Sequence, residues 1–210
     1  VSLPAAKVWK RHGWEKGFLG YPTTSDMALG NQWFKQDFQG GHVYTHNSPI
    51  RPSQASIQGA IYDKWQSMGA QNSKLGYPIS DELTTPDGVG RYNVFEHGMI
   101  YWTPKTGAHS VYEPILSKWA KAGYERSSYG YPVAQQENDG EWHVRQRFER
   151  GEIASFNETI ASLAKNFGLD DQETQAMFDV LMKDFADHGI DSKTGFGNLL
   201  THSLKSLEFN

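Results

Sequence analysis

Apolar residues recur at helical spacing in short stretches of this chain. Ile61, Trp65 and Met68, and again Ile115, Trp119 and Ala122, stand at i, i+4 and i+7 and share one helix face. Trp9 marks a similar stretch near the start. Each predicted helix has two or three turns, too few to be stable alone, and Gly13, Gly69 and Gly123 stand where a left-handed residue would end it. Elsewhere apolar and polar residues alternate. The segment "GRYNVFEHGMIYWT" does so on both sides of Glu96-His97-Gly98, which predicts a β-hairpin with a glycine-bearing turn. "HVRQRFERGEIASF" repeats the design, and "WFKQDFQGGHVYT" is a looser version.

Between each helix and its hairpin stands Gly-Tyr-Pro, at Gly20-Tyr21-Pro22, Gly76-Tyr77-Pro78 and Gly130-Tyr131-Pro132, with intervals of 56 and 54 residues. The distances leading to it are constant: Trp9, Gly13, Gly20; Trp65, Gly69, Gly76; Trp119, Gly123, Gly130. Phe38, Phe95 and Phe148 follow, each with a glycine three residues later. Glycine admits a backbone conformation closed to other residues, the tyrosine ring can lie over the space left by its absent side chain, and proline fixes the exit direction. The triplet therefore predicts a rigid corner packed against the helix tryptophan. A unit of about 55 residues buries too little by itself, so neighbouring units should stack. The expected fold is α+β: tandem repeats over residues 1–156 (about 5–57, 58–111 and 112–156) in a curved or closed array, then a small all-α segment over 157–210.

That last segment is punctuated for three helices. Asn157 can cap the first and Gly168 end it; Asp170 with Glu173 forms a capping box for the second, which Gly189 ends; Asp191 or Ser192 opens the third. Gly168-Leu169-Asp170 and Gly189-Ile190-Asp191 both read as Schellman stops. Ile160, Leu163, Phe167, Phe178, Leu181, Phe185, Leu199, Leu200 and Leu204 are the expected apolar side.

Charge sharpens the division. Residues 1–156 hold all seven Trp and all ten Tyr with nearly balanced charge, whereas 157–210 carry four Lys against nine acids. A net charge of −4 without a basic stripe argues against nucleic acid. No run of 18 apolar residues spans a membrane, and no signal peptide is present. The start at Val1 suits a processed mature protein or an excised piece. With no Cys, disulfides and thiolate chemistry are excluded, and the compartment is left open.

The segments "YDKWQSMGAQNSKLGYPISDE", "FEHGMIYWTPKTGAHSV" and "LSKWAKAGYERSSYGYPV" resemble the LGFP repeat, a unit of about 54 residues named for its Leu-Gly-Phe-Pro core. The resemblance covers roughly residues 5–156. Tyr replaces the family's Phe at 21, 77 and 131, and Tyr129 replaces its Leu. Ala55 aligns with His109, so a role for His109 in every unit is not expected. The resemblance implies an exported, noncatalytic cell-wall module of actinobacterial envelopes, of the kind appended to mycolyltransferases or peptidoglycan-processing enzymes. It implies arabinogalactan or a related polysaccharide as partner and requires no cofactor or metal.

Enzyme signatures are missing: nucleophile elbow, zinc helix, Walker loop and dinucleotide fingerprint are all absent. His42 and His46 could face one side of a strand toward a metal, without an evident third ligand. Asp81, Glu82 and Asp87, like Asn138, Asp139 and Glu141, could hold Ca²⁺ or pair as hydrolase carboxyls, and read more simply as solvated loop acids. Sugar rings stack on indole or phenol while carboxylate, amide and Arg meet their hydroxyls. The glycan-binding candidates are Trp14, Trp33, Tyr44, Glu96, Tyr101, Trp102, Trp142 and Arg147, giving several weak sites added by repetition. Packing is the expected role of Trp9, Trp65 and Trp119. Gln36, Asn93 and Gln146 recur two residues before the hairpin Phe, to bond a glycan or to cap backbone between units. The competing expectation is a protein-interaction scaffold using the repeat surface and the acidic helices.

Overall fold

The computed structural model describes residues 1–50 and 52–207, with backbone only for 202–207. Its elements divide into two compact units, residues 1–136 with 146–153, and residues 137–145 with 154 onward.

In the first unit the three helices are α1 (Leu3–Arg11), α2 (Gly59–Ser67) and α3 (Ile115–Ala122). Ser2 caps α1, its hydroxyl accepting from the Ala5 N–H, and Pro4 stands in the first turn, where no intrahelical donor is needed. All three stop at a left-handed glycine, Gly13, Gly69 or Gly123, followed by a 3-10 turn that leads to the Gly-Tyr-Pro corner.

The corner is fixed by the same bonds three times. The indole N–H of Trp9, Trp65 and Trp119 donates to the carbonyl of Gly20, Gly76 and Gly130 at 2.9, 3.0 and 3.2 Å. The side chain of Gln39, Glu96 and Glu149 accepts the following Tyr N–H at 2.9, 2.8 and 3.2 Å. The prolines bridge to the hairpin phenylalanines, Pro22 to Phe38, Pro78 to Phe95 and Pro132 to Phe148. The corner glycines have φ of 65°, 70° and 74°, and a Cβ there would stand within 2.8 Å of the Gln39, Glu96 or Glu149 side chain.

The space beside each corner glycine is thus filled by the hairpin turn, and the tyrosine rings are not folded over it. They reach the preceding repeat instead. Tyr77 stacks on Trp33 at 4.0 Å, and the Tyr131 hydroxyl donates to Asp87 at 2.6 Å and meets the Thr85 hydroxyl at 2.8 Å. Tyr21, in the first of these three units, is 58% exposed. At the register position of Trp33 the second repeat carries Gly90, where a Cβ would come within 2.8 Å of the Tyr131 ring.

Each sheet proves larger than a hairpin. The first runs β1 (Met27–Gly30), β2 (Trp33–Phe38), β3 (Gly41–His46) and β4 (Ser53–Ile57) as an antiparallel meander. The second repeats it as β5 (Leu83–Thr84), β6 (Arg91–Phe95), β7 (Gly98–Thr103) and β8 (Gly107–Tyr112). The outer strands were missed because "SQASI" and "GAHSVY" lack clean alternation; β4 buries three consecutive residues, Ala55 to Ile57. The recurring amides join successive repeats. Asn93 donates to the Ser56 and Ser80 carbonyls, and Gln146 to those of Ser110 and Ala134, so both cap backbone and neither faces a ligand. Gln36 donates to the Thr24 carbonyl of its own repeat.

Asp81 ties the first repeat to the second. Its carboxylate accepts from Arg11 at 2.6 and 2.7 Å and from the Ser56 N–H and hydroxyl at 2.8 and 2.9 Å.

The third hairpin, β10 (His143–Phe148) and β11 (Gly151–Phe156) with β9 (Glu137–Asn138), forms a sheet of three strands among the described residues. Its open end belongs to the second unit with α4 (Glu158–Phe167), α5 (Asp171–Asp187) and α6 (Ser192–Leu207). Asn157 caps α4, and Asp170 with Glu173 forms a complete capping box on α5. Both glycine stops have the Schellman bond, Leu169 N–H to the Ala164 carbonyl and Ile190 N–H to the Phe185 carbonyl. The core gathers Trp142, Ile160, Leu163, Phe178, Phe185 and Phe196. Phe196, fully buried between glycines 195 and 197, was not expected there, and Phe167 turns outward at 57% exposure. Leu204 lies outside the described side chains.

Two stability outcomes follow from these bonds. Trp65→Phe keeps most of the buried area and leaves the Gly76 carbonyl without its donor, so urea unfolding should show a loss of about 1–3 kcal/mol. Burial pushes the Asp81 pKa up, but the Arg11 and Ser56 hydrogen bonds together outweigh it and hold the carboxyl below the usual range. Its contribution is complete above the unfolded value of about 3.9 and is lost as pH falls through the lower folded value. Asp81→Asn should therefore cost on the order of 2 kcal/mol at pH 7, with the gap to the parent narrowing below about pH 4.

Candidate functional site

Most of the aromatic candidates are inside the protein. Tyr44 and Tyr101 lie 2% and 3% exposed, edge-on to Trp65 at 5.1 Å and Trp119 at 4.8 Å. Their hydroxyls ionise only far above the usual range, because burial disfavours the phenolate. Trp33 is 5% exposed, sandwiched between His46 at 4.7 Å and Tyr77 at 4.0 Å. Trp142 is 8% exposed and lies edge-on to Phe196 at 4.9 Å. No polymer ring can stack on these four, since both faces of each belong to the core or to a neighbouring ring. Glu96 is the corner clamp of Tyr77, and Arg147 stands exposed on β10 away from the cavities described below. Trp14 stays on the surface at 40% exposure, its ring edge-on to Trp9 at 5.0 Å.

Trp102 has a different setting. Half-buried on β7, it lines a cavity of about 260 Å³ with Gln58, Gly59, Ala60, Ile61, Glu82 and Arg91. Antiparallel pairing places Arg91 of β6 directly across from Trp102. Glu82 immediately precedes β5 and pairs with the Arg91 Nε at 3.3 Å. Gln58 precedes α2, whose start brings Ala60 and Ile61 to the wall. Burial raises the Glu82 pKa, although Arg91 and a hydrogen bond with Gln58 act the other way. An indole, a carboxyl, a guanidinium and an amide thus line one cavity of the kind that suits a hydroxylated ring, with an apolar wall beneath and polar groups at the edge.

The sequence marks Trp102 as a ring-stacking candidate and Glu82 only as one of several loop acids. No motif marks Arg91 or Gln58. Nor is the arrangement repeated: counting from the hairpin phenylalanines, Thr45 and Ser155 take the position of Trp102. This group is therefore held by one repeat alone.

The remaining polar candidates are engaged elsewhere. His42 stacks on Tyr62 at 3.8 Å and meets Asp37 at 2.5 Å, while His46 stacks on Trp33 and faces the Asn31 carbonyl at 3.1 Å. Among the described residues no three His, Cys, Asp or Glu gather as metal ligands. His12, Ser56 and Asp81 do meet, with Ser56 Oγ 2.9 Å from the His12 Nε2 and Asp81 3.2 Å from that same nitrogen. In a nucleophilic relay the acid would hold the other nitrogen and the serine would be open to substrate. Ser56 is fully buried, so this cluster joins repeats.

The LGFP repeat model matches residues 19–73 and 75–127, just over half of the chain. The chain belongs to the LGFP-repeat family. Each match begins at Leu-Gly-Tyr-Pro, Leu19 to Pro22 or Leu75 to Pro78, and runs through the sheet to the next helix. In that frame Trp65 closes one LGFP repeat while bonding Gly76 of the next. Residues 128–210 lie outside both matches, although Gly130 and its hairpin keep the corner bonds. LGFP repeats are cell-wall-associated modules. No curated protein matches the chain. No described helix is long and apolar enough to cross a membrane.

The contrast between buried and surface tryptophans is measurable. Trp33→Ala should cost about 3 kcal/mol in urea unfolding, because it empties the slot between His46 and Tyr77. Trp14→Ala should cost less than about 1 kcal/mol.

Proposed function

We propose that this LGFP-repeat chain is a noncatalytic binder of cell-wall polysaccharide, with arabinogalactan as its polymer and the Trp102 cavity as its principal contact. The reading rests on membership of a cell-wall repeat family together with one half-buried indole flanked by Glu82, Arg91 and Gln58. A sugar ring lying on Trp102 would place its hydroxyls against the carboxyl and guanidinium, and nothing in this binding needs a cofactor. The chain would act in the cell envelope, outside the membrane, holding an attached enzyme near its substrate or holding wall layers together.

Cosedimentation with insoluble arabinogalactan, and in parallel with peptidoglycan stripped of it, tests the proposal. The parent should be retained on the first, Trp102→Ala should weaken retention about tenfold, and Trp14→Ala should leave it unchanged. Retention by neither polymer would overturn the reading. The acidic helices, where Val180 and Phe167 are 67% and 57% exposed, would then be the surface to test against a protein partner.

A further inference from the structure

A second cavity, of about 420 Å³, shares no lining residue with the Trp102 cavity. Asp87, Val89, Thr103, Pro104, Lys105, Glu125, Tyr131, Glu149 and Arg150 form it. We propose that it is a second subsite for an uncharged sugar ring, in which the Glu125 carboxyl hydrogen-bonds a ring hydroxyl. The proposal deepens the polysaccharide reading above and rests on it.

Almost every polar group of this wall is already engaged within the protein. Asp87 accepts from the Tyr131 and Thr85 hydroxyls at 2.6 and 2.7 Å and from the Val89 N–H at 3.0 Å. Glu149 holds Lys105 at 2.9 Å and the Tyr131 N–H at 3.2 Å. Arg150 donates to the Ser127 and Ser128 carbonyls, and the Thr103 hydroxyl pairs with that of Thr106. Glu125 stands apart. It is only 4% exposed, and its Oε1 has no hydrogen-bond partner. A buried oxygen left alone costs about 1–3 kcal/mol, so the unpartnered Oε1 of a residue lining a cavity is the atom whose need a ligand would answer.

The charges decide what kind of ligand. Two carboxylates, Asp87 and Glu149, are matched by two cations, Lys105 and Arg150. Burial raises the Glu125 pKa and the nearby Asp87 adds to this, while a hydrogen bond from its own backbone N–H and the Arg126 charge act the other way. Two carboxylates balanced by two cations, an apolar side at Val89 and Pro104 and one carboxyl oxygen without a partner suit a neutral polyol ring better than a phosphate. The volume lies within the range of small-ligand sites. Neither repeat partner offers the same arrangement, because Gln71 and an exposed Glu15 occupy the position of Glu125.

The test is an amide NMR titration of the full chain with neutral arabinose- and galactose-containing oligosaccharides released from arabinogalactan, with glucosamine as a cationic comparison. Saturable shifts at the Val89, Thr103 and Tyr131 amides with the neutral sugars are expected. Glu125→Gln, which keeps a polar group of the same shape, should stay within about threefold of the parent, and Glu125→Leu should weaken this site about tenfold. Circular dichroism controls for folding, and the Gln variant keeps the comparison valid if the Leu variant unfolds. Shifts confined to Trp102, Arg91 and Gln58 would overturn the second subsite while leaving polysaccharide binding standing. Response to glucosamine alone would overturn the neutral ligand, and no shift anywhere would sink both readings.

Discussion

The bond from a tryptophan indole to the carbonyl of a glycine eleven residues later is the constraint on which the array depends. It joins the last turn of a short helix to the corner that starts the next sheet, at 2.9, 3.0 and 3.2 Å in the three copies. Neither partner is secure alone: the helix is too short, and the corner carbonyl would be buried without a donor. Bringing the two together settles both problems with one side chain. The indole then forms the floor on which Tyr44 and Tyr101 stand edge-on, so the same residue anchors the packing between successive repeats.

Because each corner is held from behind by its helix and from the front by Gln39, Glu96 or Glu149, its tyrosine is free to act on the preceding repeat. The two junctions use that tyrosine differently. At the first, the ring stacks on Trp33; at the second, Gly90 leaves room for Tyr131 to reach Asp87 and Thr85. The pair is a compensated exchange, a large side chain meeting a stacked ring in one place and an absent side chain admitting a bonded one in the other. On the third hairpin the same register position is His143, whose ring lies 4.6 Å from Phe156 and 5.6 Å from Phe178. There helices, rather than another repeat, cover the strand.

This division of labour explains why the candidate sites are not repeated. The positions that recur, the helix tryptophans, corner glycines and strand amides, are consumed by packing and by backbone bonds between units. The groups that line cavities are those each repeat holds alone, Trp102 with Arg91 and Glu82 in one cavity and Glu125 in another. In such an array the repeat supplies the frame, and departures from it supply chemistry.

By itself the sequence determined whatever depends on neighbours along the chain. The spacing of Trp, Gly and Gly-Tyr-Pro, the glycine stops, the hairpin turns, the capping box at Asp170 and the α+β repeat all follow from local periodicity and from residues with few allowed conformations. Tertiary structure decided burial. Trp33, Tyr44, Tyr101 and Trp142 carry the same ring chemistry as Trp102, and only the packing of distant segments separates a core ring from a half-open one. Packing also added β4 and β8, set Phe196 at the centre of the helical core, and sent the corner tyrosines to the preceding repeat. Those outcomes rest on contacts between residues dozens of positions apart, which no local pattern encodes, because each is fixed by what the neighbouring unit happens to present.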